Sequence, residues 1–212
     1  MKLVLFDLDG TLIDSELGIV NTIEYALRQL GAEPPPREEL RGWIGPPLRV
    51  TFPRVLGDDA ALVERAVDFY HERFSEIGWR EHVVYPGIAV AVETIAARGS
   101  TLAVVTAKTT EHAARIIDNL PFGACFTRLY APTPESAHSE KASMIAQALA
   151  DFGVNADEAA MIGDRHFDIE GAKANGVRAI GVNWGFGSEQ ELRDAGADVI
   201  VDRVDALVGA LA

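Results

Sequence analysis

The stretch Met1-Lys2-Leu3-Val4-Leu5-Phe6-Asp7-Leu8-Asp9-Gly10-Thr11-Leu12-Ile13-Asp14 decides how the rest of the chain is read. Leu3 to Phe6 are apolar without alternation, the pattern of a strand buried on both faces of a parallel sheet. Two carboxylates follow, one residue apart, and Gly10-Thr11 ends the run as a turn. In extended backbone, residues two apart point to the same side, so Asp7 and Asp9 share one small volume. Two anions that close repel unless a cation lies between them or one takes up a proton. The pattern therefore points to a divalent-metal site, a nucleophile beside a general acid, or both. The reading without chemistry is a solvated turn, since Asp and Gly are ordinary turn residues.

Beyond Asp14 the spacing turns helical. Leu17, Val20, Ile23, Ala26, Leu27 and Leu30 form one apolar face, and Gly31 is the expected stop. Pro34-Pro35-Pro36 breaks the pattern, and Arg37 to Arg41 reads as one or two helical turns. Gly42-Trp43-Ile44-Gly45-Pro46-Pro47-Leu48 reads as an ordered loop running into another helix. Asp58 to Gly78 is a further helical segment, with Ala61, Leu62, Ala66, Phe69, Tyr70, Phe74 and Ile77 roughly on one face. Strand-like sequence is almost absent from 15 to 80, and a connection of that length is too long for a simple strand-to-helix loop. Residues 15–84 are thus expected to be an inserted helical domain, and 1–14 with 85–212 an α/β core.

From Gly87 onward helix and strand alternate. Helices are expected over Gly87–Arg98, Thr109–Asn119, Ser139–Phe152 and Asp168–Asn175. Strands are expected over Thr101–Val105, Cys125–Tyr130, Ala159–Ile162, Arg178–Val182 and Asp198–Val201, with a loop at Ala131–His138 and a short helix after each of the last two strands. Such alternation implies a Rossmann-like parallel sheet with helices on both faces, a three-layer α/β/α fold.

At 212 residues and 48% hydrophobic, the chain can bury a full core. The first residues do not read as a signal peptide, because the apolar run breaks at Asp7. No apolar stretch approaches the roughly twenty residues that span a bilayer, so no membrane partner is expected. The single cysteine, Cys125, excludes an internal disulfide and a cysteine-based zinc site. Among Phe122, Phe126 and Leu129 it reads as a buried, inert thiol. These features suit a cytoplasmic protein. The formal net charge of −13, without a dense Lys/Arg run, argues against polymeric nucleic acid as a partner. A small phosphate ester remains compatible, because local cations and backbone donors can hold it against the global field.

Parallel α/β sheets place ligands at the carboxyl ends of their strands. Here those ends carry Asp7 and Asp9, then Thr106, then Lys141 after the third strand, then Asp164 and Asp168. Asp7-Leu8-Asp9-Gly10-Thr11, Val104-Val105-Thr106-Ala107-Lys108, Lys141 and Gly163-Asp164-Arg165-His166-Phe167-Asp168 together resemble the four motifs of the haloacid dehalogenase-like hydrolase superfamily. The helical insertion resembles that family's α-helical cap. Asp168-Ile169-Glu170-Gly171-Ala172 and Gly181 to Gly187 resemble its phosphoglycolate phosphatase and 5′-nucleotidase-like branch.

The resemblance implies a Mg²⁺-dependent phosphatase acting on a small phosphate ester. Asp7 would attack phosphorus, and Asp9 would protonate the leaving alkoxide and then activate water. Thr106, Ala107, Lys108 and Lys141 would hold the phosphoryl group; the metal would take Asp7, the Asp9 backbone carbonyl, Asp164 and Asp168. Lys141 lacks the proline that often follows this lysine in the family. Asp9 argues against dehalogenation, since halide leaves without a proton. Trp43 and Arg49 lie in or beside Gly42 to Leu48, which resembles the family's specificity loop. The alternative is that Trp43 packs inside the cap and the arginine is solvated. Arg165 and His166 stand at the pocket's edge, and the other four histidines read as surface residues. The protein is expected to be a monomer or homodimer. Its rival functions are a sugar-phosphate mutase of the same superfamily and an inactive phosphate-binding module.

Overall fold

A computed structural model describes residues 1–133 and 140–211. The chain divides into two compact units, Met1–Asp14 with Val84–Ala212, and Ser15–Val83.

The first unit is built on six parallel strands: β1 (Leu3–Phe6), β2 (Thr101–Val105), β3 (Phe126–Tyr130), β4 (Ala159–Gly163), β5 (Arg178–Val182) and β6 (Val199–Val201). Their order is β3-β2-β1-β4-β5-β6. The winding direction reverses at β1, and with right-handed crossovers that reversal puts helices on both faces. The burial pattern agrees. Leu3, Leu5, Ala103, Val105 and Met161 share one core with Met144, Ile145, Ile169 and Leu192 from the helices. The opposite-facing Val4, Phe6, Leu102, Val104 and Ile162 are equally buried. Each fully buried aliphatic contributes about 1.5–3 kcal/mol, so β1 alone is a large part of the core.

The other unit is helical: α1 (Glu16–Gln29), α2 (Arg37–Arg41), α3 (Leu48–Thr51), α4 (Pro53–Leu56) and α5 (Ala60–Glu76). Ile19, Val20, Ile23, Ala26 and Leu27 of α1 are buried, as are Val63, Ala66, Val67, Tyr70 and Phe74 of α5. Two expectations are corrected here. Leu17 is exposed, because the buried stripe of α1 starts at Gly18. On α5, Ala61 and Ile77 are exposed, and Val63 and Val67 take their places. The Asp59 carboxylate accepts from the Ala61 and Leu62 N–H groups, which fixes where that helix starts and so its phase.

In the α/β unit the remaining helices are α6 (Ile88–Ala97), α7 (Thr110–Asn119), α8 (Lys141–Phe152), α9 (His166–Ala174), α10 (Glu189–Asp194) and α11 (Leu207–Ala210). Ser139 and the 134–138 part of the expected loop lie outside the described residues. Helix α9 starts two residues before the expected Asp168. The cause is local: Asp168 folds back so that Oδ2 accepts from Arg165 N (3.1 Å), capping the first turn from within it. Cys125 is only partly buried, not the enclosed thiol its neighbours suggested. His112 is 4% exposed on the inner face of α7, contrary to the surface reading. Among the described residues, no helix is long and apolar enough to cross a membrane.

Candidate active site

Strand β1 lies at the reversal point of the sheet, and Asp7 is the residue that leaves it. Its N–H still donates to Ile162 O (2.9 Å), so the backbone is held in ladder register while the side chain passes beyond the strand end. Lys141, the first residue of α8, reaches the same place. Its ammonium lies 2.5 Å from Asp7 Oδ1, 2.8 Å from Val105 O and 2.6 Å from Asp168 Oδ1. The ammonium hydrogen-bonds Asp7 and the Val105 carbonyl and forms an ion pair with Asp168.

Asp164 follows β4 and is fully buried. Oδ2 accepts from Phe186 N (2.7 Å) and Oδ1 from Thr11 Oγ1 (3.3 Å). Its seat is shaped by glycines. Gly10 has φ +84°, and a methyl group built there would lie 2.2 Å from Asp164 Oδ2. One built on Gly185 would lie 2.4 Å from Asp164 Cβ. Only bare backbone fits at either position. Asp7, Asp164 and Asp168 each offer an oxygen within 4.8 Å of the others, and all three are buried.

The electrostatics follow from that crowding. Burial pushes the Asp7 carboxyl up to about 7, with Asp168 and Asp9 adding to the rise and Lys141 opposing it. Burial also pushes Asp164 well up, reinforced by Asp7 and Asp168. For Lys141, burial works against the ammonium but is outweighed by Asp168 and Asp7, so the lysine is held charged. Three carboxylates therefore share one ammonium. Asp9 Oδ1 is buried and has no hydrogen-bond partner among the described residues. A surplus of hard, anionic oxygens around one point suits a divalent cation, and the residues fit one.

The other expected site residues are placed as follows. Asp9 Oδ2 pairs with Lys108 Nζ at 3.1 Å, with the lysine side chain 7% exposed. Thr106 is buried at the end of β2, and its hydroxyl accepts from Lys108 N (3.3 Å). Ala107 between them is exposed. These residues and the carboxylates all belong to the α/β unit. In the helical unit, Trp43 is 1% exposed and packs edge-on against Phe52, with centroids 6.4 Å apart. Almost none of its surface is open to a ligand. Arg49 is exposed and makes two bonds to Glu64, at 2.6 and 2.8 Å.

Two contributors had no signal in the residue types alone. One is the Gly185-Phe186-Gly187 segment after β5, whose backbone supports Asp164. The other is Glu191 on α10, whose Oε1 accepts from Arg165 Nε and His166 N (both 2.9 Å) and lies 2.8 Å from His166 Nδ1. Partial burial pushes the Glu191 carboxyl up, but those donors outweigh it and hold the group at about 2.

Comparison with known proteins shows the chain's family. The chain is 40% identical to a 5′-nucleotidase of Pseudomonas aeruginosa over 190 residues, 90% of this chain and 86% of that protein. It is 33% identical to the tyrosine-protein kinase PtkA of Mycobacterium tuberculosis over 187 residues, 88% of this chain but only 63% of that protein. The crystal structure of a predicted phosphatase from Clostridium acetobutylicum superposes with a TM-score of 0.92 at 34% identity, covering 99% of this chain and 97% of that one. The family profile described as haloacid dehalogenase-like hydrolase matches residues 4–182. Residues 4–182 run from β1 through the end of β5 and contain every carboxylate of the cluster, so the chain belongs to the haloacid dehalogenase-like hydrolase family.

Proposed function

We propose that the protein is a Mg²⁺-dependent phosphomonoesterase. Its substrate would be a small phosphate ester of the phosphoglycolate or nucleoside 5′-monophosphate kind, and its intermediate an aspartyl phosphate on Asp7. The observation that carries this reading is the buried Asp7–Lys141–Asp168 contact beside Asp164, a nucleophile held at the centre of a carboxylate surplus. Family membership and the 40% identity to a 5′-nucleotidase support the same class of reaction.

Asp7, Asp164, Asp168 and the Asp9 backbone carbonyl would hold the cation. When bound, it would neutralise the carboxylate surplus and part of the charge on the incoming ester. An Asp7 carboxylate oxygen attacks phosphorus, and the ester oxygen leaves with a proton from Asp9. Asp9, now ionised, takes a proton from water; the water oxygen attacks phosphorus, inorganic phosphate departs and Asp7 is restored. Lys141 steadies Asp7 and offsets negative charge on the phosphoryl group, with Thr106 and the backbone of Ala107 and Lys108 beside it. Lys108 Nζ, 3.1 Å from Asp9 Oδ2, holds that carboxyl in place. The specificity determinants are assigned to the helical unit, where Trp43 packs inside and supports the Gly42 to Leu48 segment without being a contact itself, and the protein to the cytoplasm as a monomer or homodimer.

The test is phosphate release from phosphoglycolate, nucleoside monophosphates and sugar phosphates, with Mg²⁺ and with EDTA, in wild type and Asp7→Asn. Metal-dependent release that the substitution abolishes is the expected result. Transfer to a tyrosine-containing peptide in place of water would move the assignment toward the PtkA-like activity. No turnover of any compound by folded, metal-loaded protein would sink the reading.

A further inference from the structure

The turn from Asp164 to Asp168 has to keep two carboxylates close to Asp7, a crowding of like charge that Lys141 and Arg165 only partly offset. Repulsion favours opening that turn; Phe186, Thr11 and Lys141 hold its two end carboxylates from outside, and its middle, Arg165 and His166, has to be held as well. Inside, Arg165 N donates to Asp168 Oδ2 (3.1 Å), which orients one carboxylate but does not fix the turn against its surroundings.

We propose that Glu191 is a positioning residue for the metal-binding turn, clamping Arg165 and His166 so that Asp164 and Asp168 stay aimed at a common point. This rests on the metal-dependent reading above. One oxygen, Oε1, accepts from the Arg165 guanidinium and the His166 backbone N–H, both at 2.9 Å, and lies 2.8 Å from His166 Nδ1. The backbone bond matters most. His166 N is one of the first N–H groups of α9, with no partner inside the helix, and an external carboxylate there also complements the helix dipole. That N–H is thereby bonded to protein.

The clamp is itself anchored. Glu191 N donates to Ser188 Oγ (3.1 Å), capping α10. The next residue, Leu192, is fully buried against Gly181 of β5, where an added Cβ would meet Leu192 Cδ1 at 3.0 Å. The turn is therefore tied to the adjacent strand through a helix that contributes no ligand of its own. Partners of this kind, one step removed from a metal, typically cost ten- to a hundredfold in affinity or activity when removed.

The experiment measures Mg²⁺ and Mn²⁺ affinity by calorimetry without substrate, then kcat and KM at saturating Mg²⁺, for wild type, Glu191→Ala, Glu191→Gln and Glu189→Gln. Glu189 pairs with Arg193 on the exposed side of the same helix and controls for changes in α10 alone. Expected are about tenfold weaker metal binding in Glu191→Ala and a smaller loss, about threefold, in Glu191→Gln, whose neutral oxygen accepts more weakly. Glu189→Gln should match wild type, and saturating metal should return kcat and KM of the Glu191 variants to within about twofold. Wild-type affinity in a folded Glu191 variant would overturn the inference alone, and Glu191→Gln supplies that reading if Glu191→Ala does not fold. Equal weakening in Glu189→Gln, or kcat that saturating metal fails to restore, would also overturn it. Absence of metal binding by the wild type would instead overturn the metal-dependent reading and the clamp with it.

Discussion

A polar network in the helical unit and the carboxylate cluster of the α/β unit differ in their charge balance. In the helical unit, Arg73 of α5 donates to Glu81 at 2.9 and 3.2 Å and to Thr22 Oγ1 at 2.7 Å, and Thr22 donates on to Gly18 O at 2.6 Å. One cation meets one anion, and the remaining donors close the circuit. In the α/β unit, three buried carboxylates crowd together and one ammonium pairs with two of them. The first network is complete as folded. The second is complete only when something positive joins it. Buried polar groups of similar type thus serve two ends, and the sum of their charges tells which.

The comparison can be broken from either side. The largest effect is expected from Asp7→Asn, which should lower kcat on the order of a thousandfold or more. The metal-free protein should at the same time be no less stable, because a repelling anion is gone. Retained turnover would remove Asp7 from the chemistry. Lys141→Met leaves Asp7 and Asp168 buried without their cation and should cost about 3–5 kcal/mol in denaturant unfolding of the metal-free protein. An unchanged midpoint would mean that the carboxylates were already neutral. Asp9→Asn should reduce kcat about a hundredfold, with metal affinity kept within a few-fold. A loss in KM alone would make Asp9 a binding group.

Arg73→Met should cost about 2–3 kcal/mol of stability and leave Mg²⁺ affinity untouched. Weaker metal binding in that variant would show that the two networks are coupled. The last prediction concerns pH. The Asp7 carboxyl is raised from 3.8 to about 7 in the fold, so the stability it contributes is fully present below about pH 4 and is lost as pH rises through about 7. Melting of the metal-free protein should therefore shift to lower temperature across that interval, and saturating Mg²⁺ should flatten the slope. A flat metal-free profile would count against a real carboxylate surplus.

Much of this was legible in the sequence, and the exceptions have physical causes. Leu3 to Phe6 could be placed because an unbroken apolar run before two acids leaves few other readings. Asp7, Asp164, Asp168 and Lys141 could be brought together because each stands at a strand end or in the first turn of the next helix, where topology alone sets the neighbourhood. Glu191 could not. Its partners are 25 and 26 residues away, and one of them is a backbone N–H, which every residue but proline carries. Phe186 supports Asp164 in the same unsigned way. On α5 the expected face ran through Ala61 and Ile77, but the buried stripe is Val63, Ala66, Val67, Tyr70 and Phe74, a helical spacing to which Ala61 and Ile77 do not belong. His112 shows the limit of a lone polar residue: composition says surface, and packing puts it inside.

The close approach of Gly10 and Gly185 to Asp164 bears on how this protein can change. A side chain at either position would have to occupy space within 2.4 Å of that carboxylate, so neither has a substitute. A saturation-mutagenesis library selected for activity should be as empty at these two glycines as at Asp164 itself, although neither carries a functional group. Drift in substrate preference must then accumulate elsewhere, and the part of the chain that handles phosphorus would pass unaltered between descendants with different diets.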